Sequence, residues 1–120
     1  MSSFTKIYHN TIGISFYWKK KDPSTSTPKI QLVFRDIGFL LTLEELKDFS
    51  HACAITTESQ VTGCPQCKTA NSCRTLLLRT PSSKIDLAVS PDELIHISEL
   101  INRTIFKVEL NDWITMLSFN

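Results

Sequence analysis

Glycine is scarce in this chain, three in 120 residues. A backbone cradle for phosphate needs several residues free to bring N–H groups close to an anion, so such a cradle is hard to build here. No G-x-S-x-G or H-E-x-x-H pattern occurs either, which removes the common serine-hydrolase and metalloprotease signatures. Charge of one sign is also lacking. The formal net charge of +1 gives no reason to expect nucleic acid, an anionic membrane or an acidic substrate. No apolar run approaches the roughly 20 residues that a membrane span needs. The first residues, Met1 to Lys6, carry no apolar centre of a secretory signal. Together these absences predict a cytoplasmic protein with neither a membrane nor a nucleic-acid partner.

The composition is otherwise that of an ordinary globular protein, 42% hydrophobic and 21% charged. At 120 residues the chain makes one domain that can bury a workable core without a metal or disulfide. The basic run Lys19-Lys20-Lys21 ends at Asp22-Pro23 and reads as a solvated loop edge.

The organising stretch is Ile30 to Ala54, a hairpin that feeds a helix. With Arg35-Asp36 as a two-residue turn, Phe34 faces Ile37, Leu32 faces Phe39 and Ile30 faces Leu41. Cross-strand partners share a side, so the six form one apolar face. Arg-Asp is weak turn chemistry beside Asn-Gly or Asp-Gly, and the turn rests on pattern alone. Thr42 then stands three residues before Glu45, a capping box for a helix start. Leu46, Phe49 and Cys53 follow as its apolar stripe.

An offset of 48 residues carries Thr42 onto Ser90, Glu45 onto Glu93, and Leu46, Phe49 and Cys53 onto Leu94, Ile97 and Ile101. Pro91 sits at the first helical position, where its missing N–H is harmless. Upstream, Leu76, Leu78 and Thr80 pair with Val89, Leu87 and Ile85 across Pro81 to Lys84. The alternation Ile12, Ile14, Phe16, Trp18 predicts a strand, as does Phe106, Val108, Leu110. Asn111-Asp112 then offers an N-cap to a short closing turn or helix.

The expected architecture is therefore α+β: one antiparallel sheet with two helices on one face, built from two tandem hairpin–helix repeats. Its single domain, residues 1–120, holds a first unit at 30–54, a cysteine-containing linker at 55–73 and a second unit at 74–103. Terminal strands at 6–18 and 105–110 complete it. Leu40, Val33 and Leu77 on the far face suggest a second copy of the chain as a partial cover, hence a homodimer.

Cys64, Cys67 and Cys73 form C-P-x-C-x5-C. A Cys-Pro-x-Cys knuckle lets two thiolates converge on one tetrahedral ion, but structural zinc wants four ligands. Cys53 is a poor fourth, because it matches Ile101 and should pack as a small buried hydrophobe. His51, matched to Glu99, is the better candidate, with His9 a further one. A disulfide among these cysteines, or free thiols in a linker, are the alternatives. A Cys–His catalytic pair lacks an orienting group. Glu44, Glu45, Asp48, Asp92 and Glu93 cluster in the first turns of helices, where they complement the macrodipole. Trp18, Tyr17 and Trp113 read as core or rim aromatics, since no basic stripe accompanies them.

The run His9-Asn10, Gly13, Ile30-Gln31-Leu32, Phe34, Leu41-Thr42, Glu44-Glu45 and Phe49 resembles small uncharacterised proteins from Bacteroidetes-type bacteria. The resemblance covers about the first 50 residues. Those proteins carry a Cys-x-x-Cys knuckle after the glycine, where this chain has Phe16-Tyr17-Trp18 and lysines. It implies fold and origin, and no activity.

The function expected from the sequence is that of a non-enzymatic interaction or scaffold domain, its partner another protein or itself. The first alternative is a zinc-stabilised module using Cys64, Cys67, Cys73 and His51. The second is a thiol redox protein using Cys64 and Cys67, although a thioredoxin-like strand–helix–strand context is missing.

Overall fold

The computed structural model describes residues 4–18, 29–59 and 73–118. In chain order it contains β1 (Phe4–His9), β2 (Gly13–Trp18), β3 (Ile30–Phe34), β4 (Ile37–Leu41), α1 (Leu43–Ser59), β5 (Leu76–Arg79), β6 (Asp86–Val89) and α2 (Pro91–Ser118). The fold class is α+β, as expected.

The first hairpin has the expected register, with Phe34 opposite Ile37, Leu32 opposite Phe39 and Ile30 opposite Leu41. Its turn places Arg35 at φ 56°, a left-handed conformation that L side chains seldom adopt. The turn that composition disfavoured is therefore real. Arg35 Nη1 donates to the Ala88 carbonyl at 2.8 Å, an anchor that Asn or Gly could not supply. Thr42 and Glu45 close the capping box reciprocally, at 2.9 and 3.1 Å, and Ser90 and Glu93 do the same at 3.0 Å each. The second hairpin pairs Leu76 with Val89 and Leu78 with Leu87.

The strands do not form one sheet. Among the described residues, β1 to β4 make a four-stranded antiparallel sheet in chain order, and β5–β6 make a separate two-stranded sheet. Leu77 thus does not share a face with Leu40 and Val33. It lines a groove of about 440 Å³ with Ala52 and Ile55 of α1.

The final strand expected at 105–110 is helical, and the second unit does not end at 103. Leu94, Ile97, Ile101, Thr104 and Val108 are all buried and continue a three-and-four spacing that holds one helix face inward. The alternation of Phe106, Val108 and Leu110 is accidental, since Phe106 and Leu110 are exposed while Val108 is buried. Asn111-Asp112 accordingly lies inside α2 and caps nothing. α1 likewise runs to Ser59, five residues past the expected end of the first unit at 54.

Both helices cover the same face of the four-stranded sheet. Phe49 of α1 meets Phe34 and Phe39, with ring centroids 6.2 and 5.5 Å apart. Thr104 of α2 meets Ser15 of β2, their hydroxyls 2.6 Å apart and fully buried. The helices lie side by side and antiparallel, tied by Ser50 to Asn102 and by Lys47 to Glu109.

Candidate functional site

The residues singled out for chemistry are dispersed. Cys53 is fully buried among Leu46, Phe49 and other core side chains. Burial pushes its thiol up to about 12, so it is protonated and unreactive at neutral pH. His51 is exposed on α1. Cys73 takes part in a disulfide, and a sulfur so bonded is no thiolate ligand. Cys64 and Cys67 lie outside the described residues. Among the described residues, no three His, Cys, Asp or Glu side chains converge in a group able to hold a metal ion.

The carboxylates with displaced protonation equilibria are engaged in structural bonds. Glu93 is held below the usual carboxylate range, first by Arg74, which donates to both carboxylate oxygens at 3.0 Å. Its capping bond with Ser90 and the Arg35 guanidinium, 3.7 Å away, act in the same sense. Glu99 is also lowered, first by Asn10 at 3.0 Å and then by Tyr8 at 3.1 Å. Asn10 shapes the β1–β2 turn as well, accepting from the amides of Ile12 and Gly13 at 3.0 and 3.2 Å. Burial raises Tyr17, with the Asp112 charge adding to it.

The surface that stands out is the outer face of the four-stranded sheet. Gly13, Ser15 and Tyr17 pair with Phe34, Leu32 and Ile30, so these small and polar positions of β2 point inward, beneath α2. Ile14, Phe16 and Trp18 consequently point outward. Ile14 lies beside Val33 of β3 and Trp18 beside Phe4 of β1. Phe16 lies between Lys6 of β1 and Gln31 of β3, with Leu40 of β4 beyond Gln31. Phe4, Trp18 and Leu40 are about half exposed. Phe4 and Phe16 lie 4.9 Å apart, as do Phe16 and Trp18. The Trp18 indole N–H donates to Gln31 at 3.0 Å, which fixes the ring on the sheet. The arrangement is an aromatic platform.

Reading the sequence alone missed this platform, because the alternation of Ile14, Phe16 and Trp18 was the same whichever side faced the core. The available signal was Gly13 and Ser15. A Cβ on Gly13 would stand 2.2 Å from the Val33 carbonyl oxygen, and only a small residue leaves room for Thr104 at position 15. Comparison with known protein families, curated proteins and solved structures finds no match. Among the described residues, no helix is long and apolar enough to cross a membrane.

Proposed function

We propose that the chain is a non-enzymatic interaction domain that docks a protein partner on the outer face of its four-stranded sheet. The aromatic row Phe4, Phe16 and Trp18, continued by Ile14, Val33 and Leu40, carries the reading. Monomeric proteins seldom expose a contiguous apolar patch beyond a few hundred Å² unless something binds there, and aromatic side chains dominate binding hot spots. Support also comes from the titratable groups, since Glu93, Glu99 and Cys53 all have structural roles that account for their environments. The same reading takes the two hairpin–helix segments as copies of one element, a scaffold enlarged by repetition.

The test places a photo-crosslinking residue at Trp18 or Leu40 and, as control, at Asp48 or Lys84, in cells that make the protein. Discrete adducts from positions 18 and 40 that Phe16→Ser abolishes are expected. Adducts of equal yield from all four positions, or none from the sheet face, would defeat the proposal.

Of the two cysteine-based alternatives, zinc needs Cys73 as a thiolate whereas redox chemistry at Cys64 and Cys67 does not, so the disulfide at Cys73 weighs against zinc alone. The peptide carrying Cys73 should be missing from a non-reducing peptide map and appear on reduction. Its recovery as a free thiol in air-purified protein would restore the zinc alternative, which elemental analysis then decides.

A further inference from the structure

The second half of α2 carries a seam that its first half lacks. Up to Val108, the helix buries one row against the sheet and α1. From Glu109 to Leu117 every residue is exposed, and the apolar ones gather on the opposite side. Phe106, Leu110, Trp113 and Leu117 follow a four-three-four spacing, which at 100° per residue keeps them within one narrow strip. Ile114 and Met116 flank it. Exposures range from 38% at Leu110 to 61% at Met116. Leu110 borders a groove with Thr5, Lys6, Ile7 and Tyr17 at the β1 edge of the sheet, but the strip shares no residue with the outer aromatic platform, and the inference goes beyond the function proposed above.

We infer that a second copy of this chain covers the seam, the two α2 helices packing antiparallel about a twofold axis. Three observations select that occupant. First, the seam is self-complementary: in an antiparallel pair Phe106 lies against Leu117 of the second copy and Leu110 against Trp113, every contact occurring twice as an isologous interface requires. Second, the charges suit it. The seam has none, Lys107 falls beside Ile114 of the other copy and Glu109 beside Met116, so no like charges meet, and the two helix dipoles oppose each other. Third, the area is adequate. Six large side chains about half exposed offer on the order of 600 Å² per copy, which doubled lies at the lower bound of specific interfaces. Such a dimer is weak, forming in the micromolar range.

Sedimentation velocity of the full chain in reductant, which removes any intermolecular disulfide, tests this. The wild type should pass from 13.6 kDa to twice that mass between low-micromolar and sub-millimolar concentration. The double variant Trp113→Glu/Leu117→Glu, altered only at exposed positions, should keep the wild-type far-ultraviolet circular dichroism and remain a monomer throughout. Phe16→Ser/Trp18→Ser on the other face should dimerise as the wild type does. A wild type that stays monomeric at its solubility limit overturns the inference, as does a dimer that survives in the Trp113/Leu117 variant. Loss of the dimer in the Phe16/Trp18 variant alone would move self-association to the sheet and overturn it too. A monomer that instead co-sediments with phosphatidylserine vesicles would reassign the seam to a membrane surface.

Discussion

Two hairpin–helix segments, residues 30–59 and 76–118, start alike and end differently. Both close the same capping box, Thr42 with Glu45 and Ser90 with Glu93, at matching distances. Only the second glutamate does more. Glu93 also grips Arg74 through two bonds and stands 3.7 Å from Arg35, which itself reaches the Ala88 carbonyl. One carboxylate thus joins the turn of the first hairpin, the approach to the second and the start of α2. The comparison shows that an identical local motif can be either a helix cap alone or the junction of a whole fold, and partners distant in sequence decide which.

The largest contrast is expected in the core. Cys53 and Ile101 hold corresponding positions, both fully buried. Ile101→Ala should cost about 2–5 kcal/mol in urea unfolding, and Cys53→Ala on the order of 1 kcal/mol. Equal losses would mean that the two helices do not differ in how much of the core they carry. Next in size, Glu93→Gln should destabilise by about 0.5–1 kcal/mol, because Arg74 is half exposed and solvent screens the pair, while Glu45→Gln should change stability by less than about 0.5 kcal/mol. A similar loss at both sites would erase the distinction between junction and cap.

Acid should sharpen the same contrast. Glu93 is held below its ordinary value of 4.5, so its contribution is fully present above that pH and is lost as pH falls further through the folded-state value. Glu99 has the same sign. The wild type should therefore lose stability on acidification below about 4.5, and Glu93→Gln should flatten part of that slope. An unchanged slope in the variant would show that Glu93 gains nothing from its arginines. The smallest effect is expected at Arg35. Arg35→Asn eases the left-handed backbone but surrenders the bond to Ala88, opposing changes that should leave stability within about 1 kcal/mol. A loss well beyond that would show that the anchor outweighs the strain.

The local elements were legible because their signals are local. The register of Ile30–Phe34 on Ile37–Leu41, both capping boxes and the burial of Cys53 follow from spacing within a few residues. The length of α2 was missed because a period-two alternation at Phe106, Val108 and Leu110 competed with the longer three-and-four row from Leu94 to Val108, and the longer row prevails by burying more area. The division into two sheets was not legible, since no local pattern says which strand edges meet. The outer platform escaped for a related reason: the register of β2 on β3 and the contact between Ser15 and Thr104 reveal which side of β2 the helices occupy, and neither is local.

That contact has a consequence of its own. An apolar sheet offers a helix many nearly equivalent resting places along its axis, because hydrophobic contact is indifferent to small translations. Thr104 donates to the Leu100 carbonyl of its own helix at 2.6 Å and accepts from Ser15 at 2.6 Å in a buried interface. Sliding α2 along its axis would break that second bond and leave Ser15 only its 3.4 Å approach to the Tyr8 carbonyl. The pair acts as a detent, setting where the long helix comes to rest and so how far its apolar tip projects.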